Sequence, residues 1–182
     1  MQEIEVKAKI IDKEKIKSKL INLGCTFTKP QKQKDVIFLP TGISFLEIKK
    51  GTPVVRIRNT KERVFLTLKK RLINDNELST LEKEIVVNDE KETTELIENM
   101  GFYEVVRVYK TRQECHHKGL TICVDEIEEL GSFIEIEKLS ENENSETIQN
   151  ELLNFLMSLG ISPDDRVTKG YDTLVYEKTN KK

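Results

Sequence analysis

The sequence has few cysteines and no long apolar run. Its three cysteines lack CxxC spacing, and an odd number of them gives no complete disulfide framework. We therefore expect a reducing, cytoplasmic location, with the cysteines serving as small buried apolar residues. No apolar stretch approaches the roughly 18 residues of a membrane span, and no apolar signal segment follows Met1. These absences predict no membrane partner and no secretory leader.

Proline is scarce as well, with only 4 residues in 182. No segment rich in proline, glycine or serine divides the chain, and none has low complexity. A chain of this length is long enough for one domain with a sizeable core. We expect a single domain over residues 1–176, followed by a loose polar tail over residues 177–182.

An excess of positive charge is also missing. Lys and Arg number 30 and Asp and Glu 32, which gives a formal charge of -2, although charged residues make up 34% of the chain. Proteins that bind nucleic acid usually carry a basic surface, so this balance predicts no nucleic-acid partner. The placement of the charges is therefore more informative than their sum.

The first strand-like segment alternates strictly between charged and aliphatic residues. In EIEVKAKI, residues 3–10, the charges fall on one face and the aliphatic side chains on the other, which is typical of a half-buried β-strand. The charged face has two interpretations. It faces water in an ordinary antiparallel sheet, or it lines a site that needs both signs of charge.

Pairs of like charge recur at a spacing of two along other strand-like segments. This spacing puts both side chains on the same face of a strand. The acidic pairs are Glu3 with Glu5, Glu82 with Glu84 and Glu135 with Glu137; the basic pairs are Arg56 with Arg58 and Lys110 with Arg112; Lys69 and Asp125 lie in two further segments. So many charged strand faces favour the second interpretation.

Three segments have the start and stop signals of amphipathic helices. Each begins after a side chain that can cap the first turn and ends at a glycine, which readily adopts the left-handed cap conformation. The predicted caps are Asp12, Asn88 and Ser145, and the glycines are Gly24, Gly101 and Gly160. With about eight strands, the last near residues 168–176, the pattern predicts an α+β domain.

A closed antiparallel sheet would turn the charged faces inward. Eight strands leave an interior just wide enough for side chains or one small ligand. Carboxylates and cations buried there are costly unless they pair with each other or bind a ligand. A divalent cation together with a polyphosphate would satisfy both signs, because carboxylates bind the metal while Lys and Arg neutralise the phosphate oxygens.

The order of these motifs resembles that of the CYTH superfamily, the triphosphate tunnel metalloenzymes. EIEVKAK is similar to the ExExK signature of that family, and the resemblance extends from Glu3 to about Tyr176. Among the subfamilies, the chain looks most like the class IV adenylate cyclase group. The other segments that carry the resemblance are KDVIF, VVRIR, LTLK, VYKTR, CVDEIEELGSFIEIEKL and KGYDTLV.

The resemblance implies an eight-stranded antiparallel β-barrel tunnel with helices packed outside. It also implies Mg²⁺ or Mn²⁺ as the cofactor and a small-molecule triphosphate, ATP or another, as the substrate. The implied metal ligands are Glu3, Glu5, Glu135 and Glu137. The implied triphosphate contacts are Lys7, Arg56, Arg58, Lys69, Lys110, Arg112 and Lys169. Catalytic roles are implied for Asp125, Lys7 and Arg112.

Two positions depart from the family pattern. Ile37 stands where many relatives have an aromatic residue. Glu82 falls in a segment where many relatives have an arginine, and its negative charge makes phosphate contacts from that strand less favourable. We expect Glu82 and Glu84 to be solvated or to pair with a neighbouring cation rather than to bind metal. The adjacent His116 and His117 point to opposite sides of a strand and are expected at the surface.

Two reactions fit the same residues. A cyclase converts ATP to cyclic AMP and pyrophosphate, whereas a triphosphatase hydrolyses inorganic triphosphate, thiamine triphosphate or a nucleoside triphosphate. The resemblance favours the cyclase. A non-catalytic module that binds a polyphosphate or a nucleotide is a third alternative, and a homodimer is what the family suggests.

Overall fold

The computed structural model describes residues 2–71, 80–140 and 144–180. The turn predicted at residues 72–77 lies outside these ranges. Two short 3₁₀ helices span Phe45–Glu47 and Pro163–Asp165. In chain order the main elements are β1 (Gln2–Ile10), α1 (Lys13–Asn22), β2 (Gln31–Pro40), β3 (Pro53–Asn59), β4 (Val64–Arg71), β5 (Thr80–Val87), α2 (Glu90–Asn99), β6 (Phe102–His117), β7 (Leu120–Ile127), β8 (Gly131–Ser140), α3 (Ser145–Ser158), β9 (Arg166–Val167) and α4 (Tyr171–Asn180).

The described residues divide into two compact units. The first unit contains residues 2–31, 110–140 and 144–169, and the second contains residues 32–71, 80–109 and 170–180. Strand β6 begins in the second unit and ends in the first. Each unit combines antiparallel strands with helices, so the predicted α+β class is confirmed.

The first unit is built on the strand order β6-β7-β8-β1-β9. One face of β1 is apolar, as its alternation predicts, and Ile4, Val6 and Ala8 are each no more than 2% exposed. This face packs against apolar side chains of α1 and α3, including Leu20 and Leu152. The core therefore lies between the sheet and these two helices and leaves the opposite sheet face to the charged residues.

The second unit has the strand order β5-β4-β3-β2 and buries apolar residues on both faces. On one face Phe38 and Ile57 pack with Ile97 of α2. On the other face Phe45 belongs to a second cluster, and its ring lies 4.5 Å from that of Tyr176 in α4. The charged residues of this unit therefore share their sheet face with an apolar cluster.

The strand predicted near residues 168–176 is wrong, because residues 171–180 form helix α4. Val, Thr and Tyr in YDTLVYEKTN favour strands, which explains the prediction. Tyr171 and Val175, however, are spaced by one helical turn, and both bury apolar surface in the second unit. Tertiary packing of this face overrides the local propensity.

The helix boundaries agree closely with their predicted signals. Asp12 caps α1, its carboxylate accepting from the Lys15 amide at 2.9 Å, as predicted. The other two predictions are wrong by one residue, because the neighbouring Asp89 and Asn144 accept the capping hydrogen bonds of α2 and α3. The three terminal glycines all have the positive φ that an L-residue with a side chain rarely adopts, at 90°, 88° and 78°.

The described residues contain nine strands and four α-helices, compared with the predicted eight and three. In place of the strand predicted near residues 168–176, the chain forms the two-residue β9 and then α4, which is the additional helix. None of the described helices is long and apolar enough to cross a membrane.

Candidate metal and phosphate site

The charged face of the first unit gathers residues from four strands. Antiparallel register sets Glu5 opposite Glu137, Lys7 opposite Glu135, and Arg112 opposite Asp125. Residues opposite each other in register lie on the same sheet face, as do residues two apart on one strand. The face therefore carries Glu3, Glu5, Lys7, Lys110, Arg112, Asp125, Glu135 and Glu137.

Three carboxylates on this face form a cluster. Carboxylate oxygens of Glu3, Glu5 and Glu137 all lie within 4.8 Å of one another, and all three residues are half-buried. Burial, with the negative charges of Glu135 and Glu3, raises the pKa of Glu137 to about 8. Carboxylate oxygens at this spacing are the ligands that Mg²⁺ and Mn²⁺ prefer. We call Glu3, Glu5 and Glu137 the acidic triad.

Glu135 lies outside the triad and among cations. Its Oε1 is 2.9 Å from Lys7 Nζ, and its Oε2 accepts a hydrogen bond from Arg112. Burial acts to raise the pKa of Glu135, but the positive charges of Lys7, Arg112 and Lys110 hold it well below its usual range. Glu135 is thus an ionised partner of these cations, and its role as a metal ligand stays a prediction.

Arg112 is fixed by two buried acids. It donates from Nε and Nη2 to the two carboxylate oxygens of Asp125, at 2.7 and 2.6 Å, and again from Nη2 to Glu135. Asp125 is 0% exposed. Burial opposes the charge of the guanidinium, but Glu135 and Asp125 keep the pKa of Arg112 well above its usual value. The guanidinium therefore stays charged, with Nη1 4.0 Å from Glu137.

Two lysines complete the positive part of this face. Lys7 is 2% exposed and lies 3.7 Å from Glu5, so it is next to the acidic triad. Lys110 is also buried. Lys169 comes near through its backbone, because its carbonyl oxygen accepts from Lys7 at 3.5 Å, while the residue itself is exposed. The first unit therefore sets a carboxylate cluster beside buried cations.

The second unit has a charged cluster of its own. Arg56 is opposite Thr67, which is opposite Glu84 in register. The Nη2 of Arg56 is within hydrogen-bond distance of Thr67 (3.2 Å), Glu82 (2.8 Å) and Glu84 (3.2 Å). Glu82 also pairs with Lys69 at 2.9 Å. Glu82 and Glu84 are thus paired with cations, which is one of the two alternatives expected from the sequence.

Arg58 forms a separate pair in this unit. Its Nε and Nη2 donate to the two carboxylate oxygens of Asp35, each at 2.7 Å, and Asp35 is 5% exposed. The sequence interpretation gave no role to Asp35 or to Thr67. The signal for Asp35 was available, because its strand carries an acid among apolar residues in KDVIF. Its partner became evident only from the register of β2 with β3.

The cysteines and His116 lie where the sequence predicts them. All three cysteines are buried and free. Burial raises the pKa of the Cys115 thiol to about 12, and burial also raises that of Cys123, so neither is a ready nucleophile. His116 is exposed, as predicted, whereas His117 is half-buried and stacks on Phe155 with ring centroids 5.8 Å apart.

A family model, a relative and solved structures match this chain over most of its length. The family model of the CYTH domain matches residues 1–171. A protein of Methanocaldococcus jannaschii named "Putative adenylate cyclase" is 30% identical over 172 residues, which are 94% of this chain and 97% of the relative. The PH1819 protein of Pyrococcus horikoshii OT3 has a TM-score of 0.80 at 29% identity, over 97% of this chain and 99% of that chain.

A more distant structure has the same fold. HpAC1 of Hippeastrum, called a "putative adenylyl cyclase" with a dominant triphosphatase activity, has a TM-score of 0.62. The similarity covers 98% of this chain and 96% of that chain, but at 19% identity it concerns the fold alone. The match of the family model over residues 1–171, together with the relative at 30% identity, shows that the chain belongs to the CYTH domain family.

Proposed function

We propose that this protein is a divalent-metal-dependent enzyme that acts on a small-molecule triphosphate. The acidic triad carries the proposal, because three carboxylates within 4.8 Å of one another lie on the same sheet face as the buried Lys7 and Lys110 and the half-buried Arg112. Carboxylates serve a metal and cations serve phosphate oxygens, so a metal-bound triphosphate matches both halves of the face.

The metal would be held by Glu3, Glu5 and Glu137, with Glu135 as a further candidate ligand. A bound Mg²⁺ or Mn²⁺ would supply charge neutralisation at the phosphate oxygens and a template for in-line attack. The donor set fits such an ion, since it offers only oxygen ligands and three of them converge. The product assay below compares Mg²⁺ with Mn²⁺.

Lys7 and Arg112 would bind the phosphate groups, with Lys110 beside them. Both act as fixed positive charges, because each is anchored by a buried acid, Glu135 or Asp125. Cations fixed in advance stabilise the charge that develops on phosphoryl oxygens without reorganising during the reaction. Asp125 already accepts two hydrogen bonds from Arg112. Its proposed contribution is therefore to position that guanidinium rather than to transfer a proton.

The cations of the second unit are proposed as further triphosphate contacts. Arg56, Arg58, Lys69 and the exposed Lys169 of the first unit are assigned this role from the resemblance to the family. Arg56 has the strongest support among them, because its buried Nε has no hydrogen-bond partner among the described residues. A phosphate oxygen is an acceptor suited to that donor.

Cyclisation of ATP to cyclic AMP and pyrophosphate is the reaction we favour. The relative from M. jannaschii carries an adenylate cyclase name, and the motifs agree best with the class IV cyclase group. Hydrolysis of a triphosphate is the second candidate, supported by the triphosphatase activity described for HpAC1. A non-catalytic role is less well supported, because a module that had lost turnover would be expected to have lost a metal ligand, whereas all three carboxylates of the acidic triad are present.

One product assay separates these candidates. The protein is incubated with Mg²⁺ or Mn²⁺ and ATP, inorganic triphosphate or thiamine triphosphate. A cyclase gives cyclic AMP and pyrophosphate from ATP and leaves inorganic triphosphate intact, because that compound has no ribose hydroxyl. Orthophosphate from inorganic triphosphate, with no cyclic nucleotide from ATP, would instead identify a triphosphatase. No product from any of the three with either metal would reject an enzyme of this class.

The cellular setting belongs to the same proposal. A cytoplasmic location, a homodimer and the absence of a nucleic-acid or membrane partner are carried forward from the sequence and the resemblance. Light scattering of the purified protein measures the oligomeric state directly, and a mass of about twice the 21.1 kDa chain would support the dimer.

A further inference from the structure

Glu82 forms ion pairs with two cations of the second unit at the same time. Its Oε1 accepts from Arg56 Nη2 at 2.8 Å, and its Oε2 lies 2.9 Å from Lys69 Nζ. Burial acts against the charge, but Lys69 and Arg56 lower the pKa of Glu82, so it is ionised at neutral pH. Each of its two carboxylate oxygens therefore pairs with one of these two cations, in the way that the oxygens of a bound anion would.

The hydrogen bonds of Arg56 are unevenly distributed. Nη2 carries two hydrogens but lies near three acceptors, on Thr67, Glu82 and Glu84. Nε is buried and has no acceptor within the part of the chain that the structure describes, although Arg56 is only 8% exposed. A buried donor without an acceptor is costly, so this edge of the guanidinium is suited to a further acceptor.

Arg58 shows how such an edge is completed. Its Nε and Nη2 together hold both oxygens of Asp35, each at 2.7 Å. On the same edge of Arg56, Nη2 donates to carboxylates but Nε has no acceptor among the described residues. A phosphate group prefers this two-nitrogen edge. A phosphate can bind both Nε and Nη2 of Arg56 only if a carboxylate no longer contacts Nη2.

The local charge leads to the same conclusion. Arg56 and Lys69 contribute two positive charges, and Glu82 and Glu84 contribute two negative charges within contact distance of them. Among these four side chains the charges therefore sum to zero, which makes the pair of cations less attractive to an incoming anion. Glu84 has a second anchor, since Thr67 donates to it at 2.7 Å, whereas Glu82 is held only by the two cations in the contacts described. Glu82 is therefore the carboxylate that can be displaced.

We propose that Glu82 is an internal counter-ion that occupies Arg56 and Lys69 until a triphosphate displaces it. This inference rests on the proposed function, because it assumes that these cations contact the substrate. Glu82 then lowers the affinity of the site for any anion and lowers it most for weakly charged ones. A triphosphate carries enough negative charge to compete for both cations, whereas orthophosphate does not.

The proposal has an unusual consequence for mutation. Glu82→Gln keeps the shape of the side chain and removes the competing charge, so binding of triphosphate should become tighter by about ten-fold. The KM of the turned-over substrate should fall with little change in kcat, because the affinity gain applies to ground state and transition state alike. A carboxylate that merely oriented Arg56 would give the reverse result, namely weaker binding on its removal.

The test is calorimetric titration of sodium triphosphate into the full chain at a fixed, saturating concentration of Mn²⁺. Glu82→Gln and Glu82→Ala are compared with wild type, and thermal melting checks that both variants fold. Glu98→Gln is the matched control. It removes the same charge from α2, which packs through Ile97 on the opposite face of the sheet, and it should leave affinity unchanged.

Each outcome decides a separate question. Tighter binding by both Glu82 variants, with Glu98→Gln unchanged, supports the counter-ion. Equal or weaker binding by folded Glu82 variants, with wild type binding well, overturns it and leaves the proposed function intact. Binding of triphosphate by Glu82→Gln but not by wild type would also support the counter-ion, because Glu82 would then block the site completely in wild type. No binding by wild type or by either variant would reject the proposed function together with the inference.

Discussion

Glu5 is the residue whose charge is most directly tied to the proposed chemistry. Its carboxylate belongs to the acidic triad and is opposite Glu137 in register. Glu5→Gln should lower kcat by two or more orders of magnitude at saturating Mn²⁺, because it removes a metal ligand while keeping the side-chain shape. Its melting temperature should change little, since one repulsive charge is also lost. Glu98→Gln should retain full activity, and unchanged turnover in Glu5→Gln would remove it from the site.

The raised pKa of Glu137 predicts that metal binding releases a proton. Its ordinary value is 4.5, and burial with Glu135 and Glu3 raises it to about 8, so the free carboxyl is protonated at pH 7. A metal binds the ionised form, and its apparent affinity should rise about ten-fold per pH unit between pH 6 and 7 and level off above 8. Titration calorimetry with Mn²⁺ in two buffers of different ionisation enthalpy measures the released proton. Equal observed enthalpies would contradict this prediction.

Pairing of β6 with β7 makes Asp125 a structural anchor as well as a site residue. The register brings Arg112 opposite Asp125, and the two form a bidentate pair at 0% exposure of the acid. Asp125→Asn should destabilise the fold by roughly 3 kcal/mol, because it leaves the Arg112 guanidinium, whose side chain is 13% exposed, with one anionic partner fewer. Urea denaturation measures the free energy of unfolding.

The adjacent residue on β7 provides the control for this change. Glu126 points to the other side of the strand, its side chain is 56% exposed, and it pairs with Lys13 at the surface. Glu126→Gln should cost less than about 1 kcal/mol, as exposed ion pairs contribute little. A loss of similar size in both variants would show that Asp125 has no special role in holding Arg112.

Strand faces were predictable from the sequence, whereas partners across strands were not. The alternation in β1 correctly predicted which side chains are buried in the core, because a period of two depends only on local geometry. Pairing of Glu135 with Lys7 depends on the register of β8 with β1, which no local pattern encodes. Helix α4 was missed for the same reason, since its packing partners lie far away in the sequence.

At the scale of the whole chain, the resemblance was the most informative signal. The order of short charged motifs identified the CYTH family, which the family match confirms over residues 1–171. The resemblance left the reaction open, because cyclase and triphosphatase use the same phosphate and metal contacts. It also could not anticipate how Glu82 pairs, since that depends on two cations brought together by β3 and β4.

Binding of metal should stabilise the whole protein by mass action. At a free Mn²⁺ concentration of 100 times Kd, a ligand that binds only the folded state adds about 2.7 kcal/mol. For a chain of this length, that corresponds to a rise in melting temperature of roughly 5–10 °C. EDTA should reverse the rise, and Glu98→Gln should retain it. Glu5→Gln and Glu137→Gln should lose most of it, because each removes one of the three converging carboxylates. A full rise in either triad variant would show that the metal binds elsewhere.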